Sequence, residues 1–387
     1  MGIITSIGDS LQENRVALVA GKSGIGELEL VDSKYAATLP FGEIKREDWQ
    51  FKHQFEITDK RINRTTLLAL HAIREALEMS SLSDQQISSE ETALISGNTV
   101  GGMRFTHELY TDSSPNFDHD PFLYHYDNGT VSTALKEILN IHGPINTINT
   151  ACSSSANSIA YGARLIQHGF TKRAIVGGAD CLAKFTINGF NALHILSDAR
   201  CQPFDRDRKG LNLGEGAAFL ILEKEEDCKG KEVIAELTGW ANTNDAFHPS
   251  SLSENGEGPY RAMTEALQKA QLSADKISFI NAHGTGTENN DEVESVAIKR
   301  IFETIPPFVS SKSNVGHTLG GSGAVEAVYS ILSLVNQELY PGLNFENPIE
   351  STGLVPHLKY TKAPLNHVMS NSFGFGGNCS SLIFSKV

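Results

Sequence analysis

The chain has 387 residues, enough for two or three domains or one large fold with an internal duplication. Charged residues make up 20% and hydrophobic residues 40%, an ordinary globular balance, and no apolar run reaches the roughly 18 residues that a membrane helix needs. A formal net charge of −14 argues against a nucleic-acid partner, and five scattered cysteines without a C-x-x-C pair indicate neither a disulfide framework nor a zinc site. Met1-Gly2-Ile3-Ile4-Thr5 lacks the basic and apolar regions of a secretory signal, so the expected compartment is the cytoplasm.

Ile3 to Gly8 reads as a strand end and turn, and Leu11 to Ala20 as a helix closed by Gly21. Gly21-Lys22-Ser23 resembles the end of a phosphate-binding loop, but Val16 stands where that loop needs glycine, and a helix C-cap fits better. Lys60 to Met79 carries Leu67, Leu68, Ala72, Ile73 and Leu77 at helical spacing and is expected to be a core helix. Thr92 to Gly97 reads as a buried strand entering a glycine-rich turn. Arg104 to Gly129 is irregular; its His107, Asp118, His119, Asp120 and His125 lack helical metal-ligand spacing, and a lid or interface segment is the better reading.

Asn146 to Ala156 combines a short alternating run, a tight turn, a lone cysteine at Cys152 and the start of a helical pattern. Strand, turn, cysteine, helix places the sulfur at a helix N-terminus, where free N–H groups and the dipole are expected to lower its pKa and make it a nucleophile. Ala174 to Gly178 and Ala217 to Leu222 read as further strands, and the charged stretch Glu223 to Lys231 as a junction. That junction divides the chain into halves 1–226 and 227–387.

The second half repeats the order of the first. Ile277 to Ala282 enters His283-Gly284-Thr285-Gly286-Thr287, Pro307 to Ser311 enters Lys312 to His317 and then a Gly/Ala-rich helix, and Phe373 to Gly377 leads into Ser380 to Phe384. Ordered matches at offsets of roughly 160–190 residues suggest two similar βα halves, and the buried alternating strands and helices predict α/β layers. Cys152, His283 and His317 thus all sit at strand ends among glycines, where backbone can approach a ligand closely.

These runs resemble an elongating β-ketoacyl-(acyl carrier protein) synthase of the thiolase-like superfamily. The resemblance rests on Asn149 to Ser154, Asn281 to Thr287, Lys312 to His317, Gly323 to Ala327, Asn371 to Gly377, Pro203 to Arg208 and Gly214 to Gly216, which extend over almost the whole chain in the right order. It implies a thiolase-like α-β-α-β-α layered fold and a decarboxylative condensation. Cys152 would take an acyl chain from a carrier protein or coenzyme A thioester, and malonyl thioester would lose carbon dioxide and attack it. His283 and His317, both neutral, would donate to the enolate oxygen, with His283 also placed to position or activate water near the leaving carboxylate. The N–H groups of Cys152 and Phe375 would form the oxyanion hole. Lys312 and Glu326 match the supporting pair, Thr285 and Thr287 the pantetheine contacts, and Phe375 the gate for acyl entry. No cofactor and no metal are implied.

The implied partners are an acyl carrier protein and a second subunit, in a homodimer or a heterodimer. Carrier proteins are acidic like this chain, so docking calls for a local basic patch, for which Lys60, Arg61, Arg64, Arg206, Arg208 and Lys209 are candidates. Three departures stand out. The apolar strand before Gly2-Ile3 is missing or short; Asn378-Cys379 replaces a common Thr-Asn; and 104–129 is shorter and more acidic than in fatty-acid members, which points toward polyene or polyketide substrates. Competing readings are a non-catalytic chain-length partner, opposed by Cys152; a priming synthase, which would show Asn where His283 stands; and a thiolase, for which Cys379 would be the second cysteine.

Overall fold

Strands that are mostly buried, with the partly exposed Ile145–Ile148 and Glu236–Asn244 at sheet edges, build two five-stranded sheets. The computed structural model describes residues 1–60, 62–105 and 126–387. The first sheet comprises β1 (Gly2–Thr5), β2 (Thr92–Gly97), β3 (Ile145–Ile148), β4 (Arg173–Asp180) and β5 (Gly216–Glu223), in the order β1-β5-β4-β2-β3. The second half supplies β6 (Glu236–Asn244), β7 (Phe279–Asn281), β8 (Phe308–Val309), a two-stranded ribbon of β9 (Glu338–Leu339) and β10 (Thr361–Lys362), then β11 (His367–Gly374) and β12 (Asn378–Ser385). Its main sheet runs β6-β12-β11-β7-β8.

Strand directions repeat as well as strand order. In the first sheet β1–β5 and β5–β4 are antiparallel while β4–β2 and β2–β3 are parallel. In the second, β6–β12 and β12–β11 are antiparallel while β11–β7 and β7–β8 are parallel. The duplication suggested by motif order is therefore a property of the fold. At the corresponding sheet edges β1 has 4 residues and β6 has 9.

The principal helices are α1 (Leu11–Val19), α2 (Asp48–Gln54), α3 (Arg64–Ser80), α4 (Gly129–Ile138), α5 (Ser154–Gln167), α6 (Lys184–Ala192), α7 (Glu257–Ala270), α8 (Glu288–Ile301) and α9 (Ser322–Asn336). Helix α3 starts later than the apolar spacing suggests because Asn63 caps it, accepting the Thr66 N–H at 2.9 Å. Its Leu67, Leu68, Ala72, Ile73 and Leu77 are buried against the outer face of the first sheet. Full burial of each Leu or Ile contributes about 1.5–3 kcal/mol.

Helices α5 and α9 lie between the sheets and touch both, whereas α7 covers the outside of the second sheet on β6 and β12. The result is five layers, α-β-α-β-α. Burial of α9 on all sides from Ser322 to Leu334 suits a helix in the central layer. Cys152 follows β3, and Lys312 and His317 follow its counterpart β8, so both halves send their loops to the same end of the sandwich.

Candidate active site

Cys152 lies where β3 gives way to α5. The turn places Ala151 at φ +53°, a left-handed conformation that an alanine adopts at a cost of about 1–2 kcal/mol. Ser154 holds it there: its hydroxyl accepts the Thr150 N–H at 2.9 Å and donates to the Ala151 carbonyl at 2.6 Å. The sulfur is buried, with the backbone N–H groups of Phe375 and of Cys152 itself directed at it. Burial pushes the thiol up to about 11, and the Lys312 charge and the two N–H groups offset burial only in part. The position at a helix N-terminus matches the sequence reading, but the lowered pKa expected there is reversed by desolvation.

Opposite the sulfur, the His283 and His317 rings meet edge to face with centroids 5.5 Å apart. One ligating atom from each of Cys152, His283 and His317 lies within 4.8 Å of the others. His317 Nδ1 accepts the Leu319 N–H at 3.1 Å, with the Ser322 hydroxyl at 2.9 Å. Since a backbone N–H only donates, the His317 proton resides on Nε2. Lys312 Nζ lies 3.2 Å from His283 Nδ1, 2.5 Å from the His283 carbonyl, and is paired with Glu326. An ammonium likewise only donates, so His283 also carries its proton on Nε2.

Burial first, and the Lys312 charge next, hold both imidazoles well below their usual range, so both are neutral; His317 adds to the effect at His283. Two neutral rings thus direct N–H donors at the space beside Cys152. That polarity suits a developing oxyanion and opposes a metal cation, which would need lone pairs there. Burial pushes the Glu326 carboxyl up to about 7 against the pull of Lys312.

The third wall is the β11–β12 hairpin carrying Phe375. Gly374 lies so near the nucleophile turn that an added Cβ would come within 2.7 Å of the Thr150 carbonyl and 3.2 Å of the Cys152 nitrogen. Asn378, where the resemblance leads one to expect threonine, ties the hairpin to that turn. Its side-chain oxygen accepts from Ser153 Oγ at 2.7 Å, Asn157 Nδ2 at 2.9 Å and Asn242 Nδ2 at 2.7 Å. The Phe375 ring stacks on Phe190 of α6 with centroids 6.0 Å apart. A cavity of about 370 Å³ reaches Cys152, His283, His317, Thr285, Thr287, Phe190 and Phe375, with Lys209 at its lining. The Thr285 and Thr287 hydroxyls are 2.8 Å apart.

Residues that the sequence reading did not single out support these groups. Glu294 of α8 accepts the His283 and Gly284 N–H groups at 2.9 and 2.8 Å, and burial pushes it up to about 7. Asp291, one turn earlier, accepts the Phe204 N–H at 2.7 Å and the Gly286 N–H at 3.1 Å. Both are buried acids in α8 beside Val293 and Ala297, and a carboxylate among core positions is the signal that could have marked them.

The proposed basic patch is corrected in part. Arg64 is buried in a pair with Glu215 and Asp48, with further bonds to the Ile44 and Arg46 carbonyls. Arg208 is buried too: it donates to the Asp205, Thr287 and Glu288 carbonyls and so fastens the Thr285–Thr287 loop. Lys60, Lys209 and Arg206 are exposed, the last paired with Asp207. Arg61 and the histidine- and aspartate-bearing run 106–125 lie outside the described residues. Cys379 packs with Leu252, Val293 and Phe373 and is not part of the cavity lining, which removes the support for a thiolase.

Five layers built from two matching sheets, with a cysteine at one strand end and two neutral histidines at others, define a thiolase-fold condensing-enzyme scaffold. The chain belongs to the β-ketoacyl synthase family: residues 1–228 match the Beta-ketoacyl synthase N-terminal domain and 234–346 the C-terminal domain. It is 32% identical to a 3-oxoacyl-[acyl-carrier-protein] synthase 2 of Vibrio cholerae, over 100% of this chain and 98% of that one. Identity to the Synechocystis protein of the same name is 33%, over 100% and 96%. Similar solved structures include the ishigamide ketosynthase/chain length factor, with TM-score 0.93, 28% identity and coverage of 100% and 97%. A ketosynthase in complex with its chain length factor from Xenorhabdus doucetiae gives TM-score 0.83, 33% identity and coverage of 100% and 96%. Among the described residues no helix is long and apolar enough to cross a membrane.

Proposed function

We propose that the chain catalyses decarboxylative condensation of an acyl thioester with a malonyl-carrier thioester in fatty acid, polyene or polyketide synthesis. The observation that carries this reading is the pair of Nε2–H donors on His283 and His317 beside the Cys152 sulfur. In the first step Cys152 attacks the acyl thioester, the carrier thiolate leaves, and the cysteine proton passes to it. Charge on the tetrahedral oxygen is met by the N–H groups of Cys152 and Phe375. In the second, the bond between the malonyl methylene and its carboxylate breaks. Carbon dioxide departs, and the electron pair moves into an enolate whose oxygen accepts from His283 and His317. The enolate carbon then attacks the acyl-cysteine carbonyl and expels the Cys152 thiolate, which takes up a proton. The product is a β-ketoacyl thioester two carbons longer than the acyl group.

Lys312 and Glu326 keep His283 in its donor form, Thr285 and Thr287 offer hydroxyls to the pantetheine amides, and the Phe190–Phe375 stack is the closed state of an acyl gate. Halves 1–226 and 227–387 each contribute: the first the nucleophile, the second both histidines. The carrier protein docks on exposed cations, among them Lys209 at the cavity lining and Arg206, and the chain acts as a dimer with itself or with a chain-length partner. A non-catalytic chain-length role needs no nucleophile and leaves the Cys152 environment without purpose.

The test is intact mass of the protein after exposure to a panel of acyl-carrier thioesters, with Cys152→Ala as control. Acyl adducts on the wild type that vanish in the variant support the reading, and their chain lengths define the substrate. Acylation that survives in Cys152→Ala contradicts it.

A further inference from the structure

We propose that Asp180 is a positioning residue that fixes the proton of His317 on Nε2 by holding the Leu319–Gly320 turn. Asp180 ends β4 and is completely buried. Its carboxylate collects donors from both halves of the chain: the Thr99 N–H at 3.0 Å, the Thr99 hydroxyl at 2.6 Å, the Val100 N–H at 2.8 Å and the Gly320 N–H at 2.7 Å. Gly320 follows Leu319, whose N–H donates to His317 Nδ1.

Leu319 adopts φ +53°, a left-handed conformation unfavourable for leucine that persists only when neighbouring contacts impose it. On one side the backbone of His317 is pinned, its N–H to Asn212 and its carbonyl to Gly214. On the other, the Thr318 carbonyl accepts the Gly321 N–H at 3.0 Å and the Gly320 N–H is held by Asp180 at 2.7 Å. Between these anchors the Leu319 N–H is directed at His317 Nδ1, and Asp180 is the side chain that closes the turn at Gly320. Gly320 permits this approach, since a Cβ there would stand 2.8 Å from Asp180 Oδ2 and 3.1 Å from the Asn98 backbone. A carboxylate accepts on every lone pair, whereas an amide would turn an N–H against one of these donors. The inference rests on the proposed donor role of His317, and the experiment separates the two.

Asp180→Asn and Gly320→Ala are compared with wild type in two readouts. The first is 15N NMR of histidine-labelled protein, with the His317 signals assigned by their loss in His317→Gln. The second measures malonyl-thioester decarboxylation and Cys152 acylation separately. Expected is a His317 signal that shifts from the pure Nε2–H form to one dominated by Nδ1–H, with decarboxylation reduced in proportion to the lost Nε2–H fraction, on the order of 10²-fold for a near-complete shift, at unchanged KM. Cys152 acylation is expected to stay within about twofold of wild type. Gly320→Ala keeps the test open if Asp180→Asn does not fold. An unchanged tautomer in the folded variants, or equal loss in both half-reactions, overturns the proposal. A shifted tautomer with intact decarboxylation upholds it and overturns the donor role of His317 instead.

Discussion

Lys312 Nζ stands 3.2 Å from His283 Nδ1 while paired with Glu326, so a buried cation serves an imidazole and a carboxylate at once. Removing it leaves Glu326 buried without its counter-charge and frees the His283 proton to choose its nitrogen. Lys312→Met is expected to cost about 3–5 kcal/mol in urea unfolding, and Lys312→Met with Glu326→Leu considerably less. Equal losses in the single and double variants would show that the pair is not what the site depends on. Decarboxylation falls in both.

In the proposed mechanism the two histidines donate at one step only. His283→Ala and His317→Ala should each slow decarboxylation by about 10²–10³-fold, the usual effect of removing one oxyanion donor. Acylation of Cys152, followed by intact mass, persists in both. Unchanged decarboxylation would refute the paired-donor geometry.

A thiol that burial has pushed up to about 11 is protonated at neutral pH. Below that value the thiolate fraction, and with it the rate of iodoacetamide alkylation at Cys152, rises about tenfold per pH unit between 7 and 10. A plateau already reached at pH 7 would mean that the helix terminus outweighs desolvation.

Gly374 tests the contact between the hairpin and the nucleophile turn. Gly374→Ala forces its Cβ against the Thr150 carbonyl and should cost about 1–3 kcal/mol. Because the Phe375 N–H is displaced with it, Cys152 acylation is expected to slow on the order of 10²-fold. Time courses by mass spectrometry give the rate, and a wild-type rate would show that the hairpin yields without moving Phe375.

The corrected basic patch separates two arginines only two positions apart. Arg206→Glu should raise KM for acyl-carrier substrates and leave small thioester mimics unaffected, whereas Arg208→Glu should destabilise the chain and impair both. Equal effects of Arg206→Glu on the two substrate types would remove it from the docking surface.

Much of this molecule was legible in contiguous residues. Thr92 to Gly97 is a strand with the bounds that its apolar run suggests, and the helix after Cys152 follows from its periodicity. Helices α7 and α8 and strands β6 and β11 escaped the sequence reading. In α8 the first turn is dense in acids and amides, and its few apolar side chains, such as Val293, Ala297 and Ile298, give a thin stripe. The same acids turn out to be buried, because Asp291 and Glu294 face backbone N–H groups of the Phe204 segment and the His283 loop rather than water.

By itself the sequence determined the α/β layers, the order of the glycine-flanked loops, and the placing of Cys152, His283 and His317 at strand ends. These follow from local periodicity and turn chemistry, which neighbouring residues encode. Only the tertiary structure decided what each group became. Arg64 was removed from the surface by Glu215, 151 positions away, and the Gly320 turn beside His317 is held by Asp180, 140 positions away. Burial set the protonation of Cys152 and both histidines, because the cost of charge depends on everything packed around it, and no stretch of chain carries that sum.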